Sequence, residues 1–261
     1  MIEPLRITSR DNPLLQRLRR LSQDGAACRR LGQVWLEGDH LCRAWRERGG
    51  AAVQAVLSEA AWQDARLREL AVGAARVVVV PASLFAGFSA LESPAAIGMV
   101  IELPPSAPVL PHAPTVVLDR LQDPGNVGSV LRSASAFGVA QVLALKGTVA
   151  LWSPKVLRAG MGAHFGLRLA EGLDEQALVA LAVPLVATSS HAGDELPRAA
   201  LPWPCAWVLG HEGQGVADAL LARCALQVRI PQPGGEESLN VAAAAAVCLY
   251  ESARRRLAGV Q

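Results

Sequence analysis

Residues 115–145 carry the pattern that most restricts the fold. Thr115-Val116-Val117-Leu118 is a short β-branched run ending in Asp119, and Gln122-Asp123-Pro124-Gly125-Asn126 after it is rich in turn formers. Residues 127–137 have a helical pattern, Gly138 supplies a stop, and residues 139–145 form a second strand. A β-α-β unit joins parallel strands, which are stable only in a sheet covered on both faces. Residues 185–188, 206–209 and 226–230 are further strand candidates. Ser153-Pro154 reads as an N-cap and first helical residue, and the last helix is expected over 239–257. The expected fold class is α/β, with an open, mainly parallel sheet in the C-terminal part.

Five prolines between Pro104 and Pro114 forbid a helix or an inner strand there. They predict a linker over 104–114 between domains at 1–103 and 115–261. In the first domain, Leu14, Leu15, Leu18 and Leu21 mark the apolar face of a helix starting near Asn12-Pro13. Strands are expected at 33–37, 53–57, 76–80 and 97–103, with helices at 40–48 and 60–70, giving a small α/β domain.

Charge narrows the partners. Charged residues make up 18% of the chain and the net charge is +2, which excludes a disordered tail protein and a polycation that holds nucleic acid by bulk charge. The distribution is uneven: residues 1–30 hold seven Arg against three acids, whereas residues 115–261 balance 12 basic residues with 12 acids. No run reaches the roughly 18 apolar residues of a membrane span, and residues 1–30 lack a secretory pattern. The five cysteines form no Cys-x-x-Cys pair and are expected as buried thiols, neither a disulfide nor a metal framework. The chain is expected to be cytoplasmic, with no membrane partner and no metal.

In open α/β sheets ligands sit beyond the carboxyl ends of the strands. Three loops occupy that position: Asp123-Pro124-Gly125-Asn126-Val127-Gly128-Ser129-Val130-Leu131-Arg132, Leu209-Gly210-His211-Glu212-Gly213-Gln214-Gly215, and the loop from Ile230-Pro231-Gln232 to Glu237-Ser238-Leu239-Asn240. None is a dinucleotide fingerprint or a P-loop. A hydrolase assembled from Ser238, His211 and Glu212 lacks the Gly-x-Ser-x-Gly elbow. An oxidoreductase lacks its fingerprint.

Together the loops closely resemble the three motifs of the SpoU-type RNA ribose 2′-O-methyltransferases of the SPOUT superfamily. Asn126, Gly128 and Arg132 match the first motif, and Leu209, Gly210, Glu212, Gly213 and Gly215 the second. Ile230, Pro231, Gly234, Glu237, Ser238, Leu239, Asn240 and Val241 match the third. Ile7-Thr8-Ser9-Arg10-Asp11-Asn12-Pro13 and Trp35-Leu36-Glu37-Gly38 resemble the N-terminal RNA substrate-binding domain of many such enzymes, itself similar to ribosomal proteins. The chain departs from the family where Gln232 replaces a usual Met, and where Ala242 and Gly160 replace usual Ser.

The resemblance implies methylation of an RNA ribose 2′-hydroxyl by S-adenosylmethionine, on ribosomal RNA in preference to tRNA. It also implies a trefoil-knotted cofactor site and a homodimer whose second subunit completes that site, with the 241–249 face as a candidate interface. The residues it implies for catalysis are Asn126, Arg132, Glu212, Ser238 and Asn240. Those for the cofactor are Leu209, Gly210, Gly213, Ile230, Pro231, Ser238 and Leu239. From the basic N-terminal edge, Arg6, Arg10, Arg17, Arg19 and Arg20 are expected to contact RNA. Arginine is a poor general base, because free guanidinium has a pKa above about 12. Arg132 is therefore expected to clamp the neighbouring phosphate, Glu212 to orient either Arg132 or a ligand hydroxyl, and Asn126 to cap its helix and present an amide to the ribose or to Arg132. Ser238 and Asn240 open the last helix, where Ser is favoured as a cap. His211 is expected as a bystander in its loop. Arg254-Arg255-Arg256 should complement the dipole of the last helix. The alternative is a non-catalytic RNA-binding relative of the same fold.

Overall fold

The structure, a computed structural model, describes residues 3–190, 192–235 and 238–259. It divides into two compact units, Met1–Pro105 with Trp152–Phe165, and Ser106–Leu151 with Gly166–Gln261.

The first unit contains β1 (Leu5–Arg6), α1 (Pro13–Gln23), α2 (Ala27–Leu31), β2 (Gln33–Glu37), α3 (Asp39–Glu47), β3 (Gln54–Ser58), α4 (Glu59–Gln63), α5 (Ala65–Leu70), β4 (Val77–Val80), α6 (Ala82–Ala86) and β5 (Ile97–Glu102). Its sheet has the order β1-β4-β3-β5-β2, with β1, β4 and β3 parallel and β5 antiparallel to both β3 and β2. Asn12 caps α1 by accepting from the Leu14 N–H at 2.9 Å, and Pro13 takes the first helical position. That cap is worth about 1 kcal/mol. Leu15, Leu18 and Leu21 then bury against Trp35, Phe85 and Phe88. The single helix expected over 60–70 is two helices. Ser58 caps the first through the Ala61 N–H, and Asp64 ends it and caps the second through the Arg66 N–H.

The segment Trp152–Phe165, expected with the C-terminal domain, packs into the first unit instead. The ring of Phe165 meets Trp45 edge-on at 5.2 Å, Arg158 donates to the Ala90 carbonyl at 3.2 Å, and the His40 ring approaches the Met161 carbonyl at 3.1 Å. No periodicity in the sequence reports such contacts.

The second unit is built on β6 (Thr115–Leu118), α7 (Pro124–Ala136), β7 (Gln141–Leu145), β8 (Arg168–Leu173), β9 (Leu185–Ser189), β10 (Asp194–Glu195), β11 (Ala206–Leu209), α9 (Asp218–Leu221), β12 (Leu226–Arg229) and α10 (Val241–Leu257); α8 (Pro154–Gly160) belongs to the first unit. All seven strands are parallel, in the order β10-β12-β9-β11-β6-β7-β8. One face buries Val117, Leu143, Leu185 and Val208 beneath Leu178, Val216 and Leu220. On the other, Trp207 donates to Ser252 of α10 at 3.0 Å. The proline-rich segment is not a free tether. Ala107 donates to the Leu169 carbonyl, and the Gln141 amide clasps both backbone groups of Leu110 at 2.8 Å.

From β6 the chain steps outward to β7 and β8, then crosses back so that β9 and β11 lie on the other side of β6. This reversal places the carboxyl ends of β6 and β11 side by side, where open α/β sheets bind ligands.

At the end of α10, Glu251 accepts from Arg254 and Arg255 at 2.7 Å. Arg255 also donates to the carbonyls of Leu196, Pro197 and Ala199, and Arg256 lies 5.0 Å above the Trp203 ring. These arginines thus fasten α10 to the 196–203 segment as well as facing the helix dipole. Hydrogen bonds from Arg254, foremost, and Arg255 hold the Glu251 carboxyl at about 2, below its ordinary 4.5. Because the folded value is depressed, this stabilisation is complete above pH 4.5 and lost as pH falls towards 2. Acid unfolding followed by circular dichroism should move to higher pH in Glu251→Gln.

Four cysteines, Cys28, Cys42, Cys205 and Cys248, are buried, Cys224 is half-buried, and none of the five is in a disulfide. Burial pushes Cys205 and Cys248 up to about 12. Among the described residues no helix is long and apolar enough to cross a membrane.

Candidate active site

The loops after β6, β11 and β12 meet through three polar side chains. Asp123, not Asn126, caps α7: its carboxylate accepts from the Asn126 N–H at 2.7 Å, and Pro124 opens the helix, three residues earlier than expected. The Asn126 side chain is thereby free to face the other loops. Its Nδ2 donates to Glu212 Oε1 at 3.2 Å, and its Oδ1 accepts from Asn240 Nδ2 at 2.9 Å. Asn240 Oδ1 caps α10 by accepting from Ala242 and Ala243, so the helix starts at Val241 and the cap is Asn240, not Ser238. A carboxylate can only accept, so Glu212 sets the direction of the whole chain: Asn126 must donate to it, and Asn240 must donate to Asn126.

Glu212 does not orient Arg132. Its two oxygens accept from the backbone N–H groups of Gln122 and Asp123 at 3.3 and 3.1 Å, tying the second loop to the first. Partial burial pushes its carboxyl up, but hydrogen bonds from its own N–H, Asp123, Asn126 and Gln122 outweigh this and hold it below the usual carboxylate range.

A cavity of about 640 Å³ opens at these loops, within the size range of small-molecule sites. Of the residues expected at the cofactor, Gly210, Gly213, Ile230, Ser238 and Leu239 line it, with His211, Glu212 and Asn240. Leu209 and Pro231 do not; Leu209 is 1% exposed and supports the loop from inside the sheet. Leu239 is 42% exposed, an apolar side chain presented to the cavity without cover. Gly210 is required by close approach, since a Cβ there would lie 2.1 Å from the backbone of Gly215 and Val216. Gly215 itself has φ +69°, and its N–H returns to the His211 carbonyl at 2.8 Å. His211 Nδ1 accepts from Gly213 and Gln214, so it shapes the turn. With Glu212 and His211 so occupied, and no bond joining His211 to Ser238 among the described residues, a hydrolytic triad is not assembled.

Arg132 is exposed, has no hydrogen bond or ion pair among the described residues and is absent from the cavity wall. Of the departures, Gln232 lines the cavity. Ala242 does not and has its N–H capped by Asn240, and Gly160 packs against the His164 ring in the first unit. Glu237 lies outside the described residues. At the N-terminal edge Arg6, Arg10 and Arg20 are exposed, with Arg6 4.0 Å from Glu59. Arg17 donates to Gln54 and Arg19 to the Gly87 carbonyl, so both also hold the first unit together.

Sequence reasoning assigned no role to Asp119, Arg120, Thr188 or Ser189. Thr188 and Ser189 line the cavity from the end of β9, where the carboxyl-end rule already pointed. Asp119 is 2% exposed; it takes a two-pronged bond from Arg120 at 2.9 and 3.0 Å and accepts from the Ala217 N–H at 2.8 Å. Those bonds raise the Arg120 guanidinium above its ordinary value. Arg120, held at φ +61°, also donates to Gln214 and the Gly215 carbonyl, clipping the second loop over the sheet. Asp119→Ala removes the buried acceptor and should cost about 2–3 kcal/mol by urea unfolding.

Residues 113–250 match the sequence model of the SpoU rRNA Methylase family. An uncharacterized tRNA/rRNA methyltransferase of Synechocystis is 33% identical over 97% of this chain and 94% of its own. A 23S rRNA (guanosine-2′-O-)-methyltransferase of Bordetella pertussis is 38% identical over 54% of this chain and 59% of its own. The SpoU methyltransferase AviRb of Streptomyces viridochromogenes, solved with the cofactor AdoMet, superposes with a TM-score of 0.84 at 25% identity, over 95% of this chain and all of that one.

Proposed function

This chain belongs to the SpoU rRNA methylase family and is an S-adenosylmethionine-dependent RNA ribose 2′-O-methyltransferase, and we propose that its substrate is ribosomal RNA, methylated in the cytoplasm by a homodimer. The observation that carries the reading is the Asn240–Asn126–Glu212 chain, which ties the first motif loop to the second and third, the two that line the cavity.

The residues fit the cofactor. Gly210 leaves the backbone bare, Leu239 and Ile230 offer apolar cover, and the cavity has the volume. Bound there, S-adenosylmethionine supplies an electrophilic methyl group on a sulfonium. The protein's work is then alignment, which by itself removes a large part of the barrier. Asn240 lines the cavity, and Asn126 is bonded both to it and to Glu212, so the two amides are held in fixed orientations. Arg132 grips the phosphate beside the target ribose, and its positive charge favours loss of the 2′-hydroxyl proton to solvent.

Among the described residues Arg132 has no partner, and in this reading a second copy delivers it. The exposed Val247 and Tyr250 on α10, with Phe137 packed edge-on against Tyr250 at 5.8 Å, supply the apolar contact for that copy. In this reading the C-terminal segment that includes α10 is threaded into the trefoil knot that the resemblance implies. Arg6, Arg10 and Arg20 would hold RNA at the first unit.

Preference for ribosomal RNA is supported by the relatives' names and by that basic edge. Incubation with labelled S-adenosylmethionine and separated ribosomal and transfer RNA tests it. Label is expected on a ribose of ribosomal RNA. Label on tRNA alone overturns the substrate, and unlabelled RNA favours the non-catalytic alternative.

A further inference from the structure

Gln232 stands where the family usually carries Met. It lines the cavity, its Oε1 is shielded from solvent, and among the described residues that oxygen has no hydrogen-bond partner. Only its backbone is engaged: the Gly235 N–H returns to the Gln232 carbonyl at 3.2 Å, which holds the turn that presents the side chain. An amide left unpaired in a cavity wall is costly unless a ligand completes it. The surroundings suit a flat heterocycle, because Val216, Val228, Ile230 and Leu239 line the same cavity.

We propose that Gln232 reads the adenine base of the bound cofactor through its side-chain amide. The inference rests on the cofactor reading above and adds to it the group that recognises the base. A primary amide carries a donor and an acceptor side by side. Adenine carries the complement, an exocyclic N6 amine next to a ring-nitrogen acceptor, which is why Gln and Asn pair with adenine in two prongs. Methionine would fill similar space and contact the ring face, but it offers no donor and at best a weak acceptor. This chain therefore adds base-specific pairing where a thioether gives only cover.

The test is isothermal titration of two ligands, S-adenosylhomocysteine and its analogue with hydrogen in place of the 6-amine, against the parent and Gln232→Met. The parent should lose about 10- to 100-fold in affinity when the amine is removed, the range for a good two-pronged pair. In Gln232→Met that loss should shrink at least fivefold, because the amine's partner is gone. Equal losses in parent and variant would overturn the proposal. So would a parent indifferent to the amine, an outcome that needs no folded variant. Failure of the parent to bind S-adenosylhomocysteine at all would instead overturn the cofactor site on which the proposal rests.

Discussion

Gly210→Ala should weaken cofactor binding by at least about 100-fold while Gly213→Ala, three residues away, leaves it nearly unchanged. At Gly210 the added Cβ meets the backbone of Gly215 and Val216 at 2.1 Å, and no flexible side chain is available to yield. The residue is buried at the end of β11, so the strand cannot shift without breaking its pairing with β6 and β9. The 211–216 turn must therefore open. That turn carries Glu212 and with it the bonds to Gln122, Asp123 and Asn126. Overpacking of this kind also costs about 1–3 kcal/mol of stability. At Gly213 the added Cβ comes no closer than 3.9 Å to the His211 ring. Titration with S-adenosylhomocysteine measures both variants. Equal affinity for parent and Gly210→Ala would show that the close approach is not what forms the cofactor loop.

Arg132→Lys should lower turnover by about 10²-fold with cofactor affinity unchanged, and Arg132→Ala by on the order of 10³-fold. Lysine keeps the charge and loses the planar two-pronged grip on phosphate, so a large defect in the lysine variant separates geometry from charge. Cofactor affinity should hold because Arg132 is exposed and outside the cavity wall of its own chain. If a second copy supplies Arg132, mixing Arg132→Ala chains with Glu212→Ala chains should restore one intact site per mixed dimer and recover part of the activity. Single-turnover rates on RNA check the first expectation. Parental rates in Arg132→Lys would remove the clamp, and no recovery on mixing would place Arg132 in its own chain's site.

The elements that local sequence determined are those whose signal lies within a few residues. Asn12-Pro13 starts α1, Gly138 follows α7, and three strands, Gln33–Glu37, Thr115–Leu118 and Ala206–Leu209, have the expected limits. The motif loops were legible because a parallel sheet gathers its strand ends on one edge, and Gly- and Asn-rich segments at those ends are readable one at a time. The short edge strands Leu5–Arg6 and Asp194–Glu195 were not legible, since two residues carry no period. Nor was Arg168–Leu173, in which exposed Arg168 and Gly172 interrupt the apolar run.

What the tertiary structure alone decided is which polar group serves which. The sequence and its resemblance offer Asn126 as a cap or an amide for the ribose, Glu212 as a partner for Arg132 or for a ligand hydroxyl, and Ser238 as a cap for the last helix. In the fold Asp123 and Asn240 are the caps, and Glu212 spends its oxygens on the first loop. Hydrogen bonds reach about 3 Å in space and are indifferent to separation along the chain, so partners in this one network stand 86 and 114 positions apart. The same reason hid the Asp119–Arg120 clip and the unpaired Gln232 amide. Sequence alone named the family and the loops. Only folding showed that one carboxylate, Glu212, sets the direction of the Asn240–Asn126–Glu212 bonds that join all three loops.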